Sequence, residues 1–253
     1  MATTAHPNFK LIKWTDFGTE EEWVARVAFG LAELLRQLHQ TEEERFRSGE
    51  ALQEMDNELS AAFMAVCNVR ELDGREDIAF MELRKEYDAI YDHLARAYKD
   101  RMSTLAATLD YDIGFLFQKD QNFESGASLF LSAQPRIQSD FIDMLREDRR
   151  IWATGLQKFR NEVLQHRAEG AQTAPYFNVG FAEATFRNVW QAIEDTVVWL
   201  IEPLLPPIFG IYEIAPENRD PKCPRRYEVN ASVTLLEALQ NVERLGETGT
   251  EMI

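Results

Sequence analysis

Apolar residues recur every three or four positions along most of this chain and nowhere alternate for long, which commits it to helices. Trp23, Val27, Leu31, Leu34, Leu35 and Leu38 form one such row, and Leu52, Met55, Leu59, Phe63 and Val66 extend it past a charged middle at Glu42–Arg47. Glu20, Glu21 and Glu22, behind a capping Thr15 or Thr19, suit the positive end of a helix dipole. The spacing predicts one long helix or two, with a break near Ser48 and Gly49.

Asp73-Gly74 is a turn signal, and Ile78 to Leu109 reads as a second long helix on the stripe Met81, Tyr87, Ile90, Tyr91, Leu94 and Tyr98. Asp110 to Pro135 mixes apolar clusters with turn residues and is read as shorter helices. A third long helix runs from about Ile137 to Glu169 and stops at Gly170, and a fourth runs from about Val179 to Ile201. Six of the nine prolines fall between Pro203 and Pro224, so that stretch is expected to be an ordered, irregular loop before a last helix, Glu228 to Leu245. The expected fold is all-α, an antiparallel bundle of long helices with short helices and a proline-rich loop ahead of the C-terminal helix. One domain spans 1–253: a helical hairpin at 20–110, a core at 111–202, the loop at 203–227 and the terminal helix at 228–246.

Composition narrows function mainly by exclusion. The hydrophobic fraction of 45%, with 16 Phe and 5 Trp, is ample for a core, while the best apolar run, Val197 to Ile211, is cut by Glu202 and three prolines and cannot span a membrane. The opening MATTAHPNFKLIKW carries no export or organelle signal, and the cytoplasm is the expected location. Cys67 and Cys223 form neither a disulfide framework nor a metal pattern. A net charge of −16 excludes a surface that is basic everywhere, so DNA binding of that kind is not expected and any RNA must meet a local patch.

Neither GxGxxG nor GxxxxGK[ST] is present to cradle a nucleotide phosphate, and GxSxG, HExxH and paired-Cys motifs are absent too. None of His6, His39, His93 and His166 has a Glu three residues before it, as a di-iron bundle requires. Glu162, His166 and Glu169 share a helical face but read as ordinary charge pairs. No metal and no cofactor are expected.

One segment carries chemistry: Lys158-Phe159-Arg160-Asn161-Glu162-Val163-Leu164-Gln165-His166-Arg167. Arg-Asn followed by four residues and a His resembles the signature of the HEPN superfamily, small helical domains with an Arg, a polar residue directly after it and a His four to six residues on. The likeness covers this motif and the helical setting rather than the whole chain. It implies a metal-independent endoribonuclease of the toxin or phage-defence kind, with Arg160, Asn161 and His166 catalytic in a site composed across a homodimer, and with an inhibitor or antitoxin as a further partner. His166 would take or relay the proton of a ribose 2′-OH, and Arg160 would stabilise charge on the phosphorane. An imidazole exchanges protons near neutral pH and a guanidinium offers a planar fork to phosphate, so the residue types suit the task. The 2′-OH requirement makes the substrate RNA.

Local charge agrees: Met144 to Ala168 is +3, against −19 for the remainder of the chain. Arg149, Arg150, Lys158 and Arg167 are therefore the expected RNA-binding residues, unless neighbouring acids pair with them. On one straight helix Arg160 and His166 stand about 120° apart in azimuth and about 9 Å apart along the axis, so they cannot meet. A dimer interface, or a bend near Leu164, would bring them to one phosphate. The competing reading is a noncatalytic dimerisation or protein-interaction module, with His166 buried and hydrogen-bonded and Arg160 in a structural ion pair.

Overall fold

The computed structural model describes residues 41–75, 80–159, 177–205, 209–213, 215, 217 and 227–231. The expected helix before residue 41 lies outside them. Helix α1 spans Glu42–Leu72 and runs unbroken through Ser48 and Gly49, which leaves no break at that point of the two arrangements the sequence allowed. Its start is fixed by a capping box: the Glu44 N–H donates to Thr41 Oγ1 at 3.2 Å and the Thr41 N–H donates to Glu44 Oε2 at 3.0 Å. It ends where the Asp73 N–H reaches the Val69 carbonyl and Gly74 adopts a φ of 83°.

The chain then returns as α2 (Phe80–Arg96), a wide π-turn (Ala97–Arg101) and α3 (Met102–Ala107). Pairs that descend α1 as they ascend the return path show the antiparallel hairpin: Asn68 with Glu86, Glu58 with His93, Glu54 with Arg101 and Ser48 with Thr108. Beyond the π-turn, the Ser103 and Thr104 hydroxyls donate to the carbonyls of Lys99 and Asp100. Of the expected stripe, Tyr87, Ile90, Tyr91, Leu94 and Tyr98 are buried, whereas Met81 is 67% exposed.

The short helices expected between 110 and 135 are a 3₁₀ turn, Gly114–Phe117, and α4, Asp120–Ala133. Gly126 sits so close to this turn that a Cβ added there would lie 2.3 Å from the Phe115 Cβ. Alanine normally stabilises a helix interior by about 1 kcal/mol over glycine, but overpacking of this kind costs about 1–3 kcal/mol. Gly126→Ala is therefore expected to lower the melting temperature; an unchanged or higher value would show that Phe115 moves aside freely.

Next come α5 (Ser139–Asp148), a second π-turn (Arg149–Ala153) and α6 (Thr154–Phe159), which together form the described part of the third long helix. The π-turn shifts the helical phase, so the buried row reads Phe141, Leu145, Arg149, Ala153, Leu156, Phe159, with Trp152 displaced to its margin. Helix α7, Val179–Ile201, matches its expected bounds and is capped by Asn178, whose side-chain oxygen accepts from the Phe181 N–H at 3.0 Å. From Val189 to Val198 it is buried on every side, as a central helix of a bundle must be. Aromatic rings knit the helices together: Phe63 meets Phe186, Phe130 meets Phe141, and Phe141 meets Trp199.

Among the described residues the fold is all-α apart from one ribbon. Beyond α7 and the 3₁₀ turn Glu202–Leu204, strands β1 (Phe209–Glu213) and β2 (Tyr227–Ala231) pair antiparallel, with Ile211 opposite Val229. This corrects two expectations: the 203–227 stretch contains a strand, and Tyr227–Ala231 is extended where a helix was to begin at Glu228. Both pieces place aromatic or β-branched residues at alternate positions without a proline inside, but at five residues each they are too short to stand out. The helix expected beyond Ala231 lies outside the described residues. No helix among them is long and apolar enough to cross a membrane.

Asp56 of α1 is a local liability. Burial raises its carboxyl above the ordinary range, and its Oδ1 has no hydrogen-bond partner. A carboxyl so raised contributes most when protonated, and that contribution is lost as pH rises through its folded-state value. Asp56→Asn should therefore raise the melting temperature at neutral pH, with the gain shrinking to nothing as pH falls through the carboxylate range. A gain that persists in acid would assign the effect to something other than this charge.

Candidate functional site

Of the expected catalytic residues, Arg160, Asn161 and His166 lie outside the described residues, as do Arg167, Glu162 and Glu169. The structure ends its account of this helix at Phe159, which is buried with its ring edge-on to Tyr91 of α2 at 4.7 Å. The surroundings of α6 thus define the ground on which the motif begins.

Arg149 is only 9% exposed, although a phosphate-binding residue needs an open guanidinium. Its Nη1 donates to the Leu116 carbonyl at 2.6 Å, and its Nη2 donates to the Gln118 carbonyl at 2.9 Å and to Asp120 Oδ1 at 2.7 Å. The guanidinium carbon also lies 4.5 Å from the centre of the Phe123 ring. Arg149 therefore serves the fold by fastening the 3₁₀ turn and the start of α4 to the long helix. It is not available to a nucleic-acid backbone.

Arg150 is open to solvent but grips Glu147 through both carboxylate oxygens, at 2.5 and 2.9 Å. The bond holds the Glu147 carboxyl below its ordinary range and the guanidinium above its own. Arg146 likewise bridges Glu124 and Asp143. The basic excess at 144–168 is thus largely neutralised by acids on the same and adjoining helices. Exposed pairs of this sort are weak, and of the four residues expected to bind RNA, Arg150 and Lys158 are the exposed ones among those described.

Beside α6 opens a cleft of about 140 Å³, lined by Tyr91 from α2, Ile151, Trp152, Gly155 and Leu156 from the third long helix, and Phe181, Ala184, Thr185 and Asn188 from α7. Trp152 is fixed on two sides: its Nε1 donates to Asp148 Oδ1 at 3.2 Å, and its ring stands edge-on to Tyr98 at 4.9 Å. Trp152 thus packs against the core from its margin, where the π-turn places it.

The chain matches no protein-family model, no curated protein and no solved structure. Its residues therefore carry the functional argument alone.

Two further polar groups escaped the sequence reading. Glu58 is nearly buried between His93, whose Nδ1 lies 2.8 Å from Oε2, and the guanidinium groups of Arg96 and Arg101 at 3.2 and 3.5 Å. The short contact to Glu58 requires a proton on Nδ1, so Arg96 Nη2, 2.8 Å from the same nitrogen, makes no hydrogen bond to it. In the middle of α7, Gln191 donates to Asp195 Oδ1 at 2.8 Å, and Glu194 and Asp195 are both buried. The partners of Glu58 stand 35 or more residues away in sequence, so spacing offered no signal for that group, whereas Gln191 and Asp195 are four residues apart on one helix. Among the described residues no set of three or more His, Cys, Asp or Glu could hold a metal ion.

Proposed function

We propose that this chain is a HEPN-like, metal-independent endoribonuclease of the toxin or phage-defence type, with Arg160 and His166 converging on one phosphodiester at a homodimer interface. What carries the reading is Arg160-Asn161-x4-His166, set directly after a helical segment that borders an open, aromatic-lined cleft. The imidazole removes the 2′-OH proton, the 2′ oxygen attacks phosphorus, and the guanidinium stabilises the charge that develops on the non-bridging oxygens. The 5′ oxygen of the next nucleotide leaves, producing a 2′,3′-cyclic phosphate. Asn161 positions the phosphate, and Arg150, Lys158 and Arg167 hold the strand on either side.

The test is incubation of the purified chain with single-stranded RNA in excess chelator, followed by analysis of the ends. Cleavage leaving 2′,3′-cyclic phosphate supports the reading, and cleavage that depends on added divalent metal overturns it. A noncatalytic interaction module is the second reading, favoured by the internal use of Arg149 and the acid partners of Arg146 and Arg150.

A further inference from the structure

We propose that the cleft beside α6 is a subsite for one unpaired nucleobase of the RNA, an assignment that rests on the ribonuclease reading and names how that site holds its substrate. Three observations point there. The cleft is too small for a drug-sized ligand, which needs roughly 300–1,000 Å³, yet its volume of about 140 Å³ admits a single ring system. Its walls are aromatic, with Trp152 pinned by Asp148 and Tyr98, and its rim leaves Ile151 59% and Phe181 41% exposed. Its polar lining includes half-buried Asn188 and buried Thr185.

Unpaired bases are recognised by this combination: stacking on an aromatic face, with a side-chain amide offering a donor and an acceptor to the base edge. Thr185, also on the wall, already donates to the Phe181 carbonyl at 2.9 Å, which leaves its oxygen as an acceptor only. Stacking tolerates any base, so the subsite selects single strands over duplexes rather than one sequence over another. Arg150 and Lys158 flank the cleft-lining residues 151–156 in sequence.

The experiment separates binding from chemistry by using the full chain and a single-stranded 2′-O-methyl oligonucleotide, whose blocked 2′ oxygen cannot attack. Binding should quench tryptophan fluorescence; the quench should vanish in Trp152→Phe, and Asn188→Ala and Phe181→Ala should each weaken binding about tenfold. Wild-type affinity in both of these variants, or a quench that survives Trp152→Phe, overturns the subsite. So does loss of self-association in Phe181→Ala with oligonucleotide binding unchanged, because the rim would then be a contact between copies. Binding and quenching without cleavage of ordinary RNA would end the nuclease reading while leaving the base site. Cleavage by Asn188→Ala and Phe181→Ala at the wild-type rate would end the base site while leaving the nuclease.

Discussion

His166→Ala is expected to reduce metal-free RNA cleavage about a hundred- to ten-thousandfold, the range that a positioned general base contributes. Arg160→Ala should cost about a hundred- to a thousandfold, as removal of one donor to a developing oxyanion does. Neither substitution should alter far-UV circular dichroism or the melting temperature appreciably, because a catalytic pair faces substrate rather than core. The competing reading predicts the reverse. A buried, hydrogen-bonded His166 would lower stability on truncation and leave whatever activity exists in proportion to the folded fraction. Measuring rate and melting on the same preparations separates the two readings, and survival of cleavage in His166→Ala removes the mechanism.

Arg149→Ala is expected to be the most destabilising of the single changes considered, by about 3–4 kcal/mol. Truncation leaves the buried Leu116 carbonyl without its donor, at about 1–3 kcal/mol for a group so stranded, loses the bond to the carbonyl of exposed Gln118, and forfeits the packing on Phe123. Little of the loss should come from Asp120, which is 92% exposed and is rehydrated at once. Arg149→Lys should recover only part of it, since an ammonium cannot reproduce the planar fork that spans two carbonyls and a carboxylate. Urea unfolding of the wild type and both variants provides the check. An Arg149→Ala variant as stable as the wild type, but weaker in RNA binding, would return this residue to the nucleic-acid surface.

Helix content was legible because periodicity is a local property. Val179–Ile201 follows from its apolar spacing alone, and Asp73-Gly74 marks the hairpin turn where the chain reverses. The start of α1 is written in Thr41-x-x-Glu44, at the head of the charged stretch that separates two apolar rows. The π-turns at Ala97–Arg101 and Arg149–Ala153 were not readable, since one extra residue in a turn changes no composition and only slips the phase. That slip is why Arg149 points inward and Trp152 stands at the edge of a cleft. The β1–β2 ribbon escaped for a different reason: pairing is a long-range property, and five-residue strands separated by a proline-rich stretch lack the length that makes alternation convincing. The Arg160-Asn161-x4-His166 motif was visible as letters, yet its value depends on where two side chains converge, which helical geometry alone shows cannot happen on one straight helix.

In the proposed mechanism a guanidinium from one copy and an imidazole from the other serve the same phosphodiester. Mixing separately purified Arg160→Ala and His166→Ala chains, each inactive, and allowing subunits to exchange tests it most directly. Random pairing in a two-fold dimer should restore about a quarter of wild-type activity, because half the dimers are mixed and each mixed dimer keeps one intact site. A mixture no more active than its two components, under conditions where exchange is complete, would contradict the composite site.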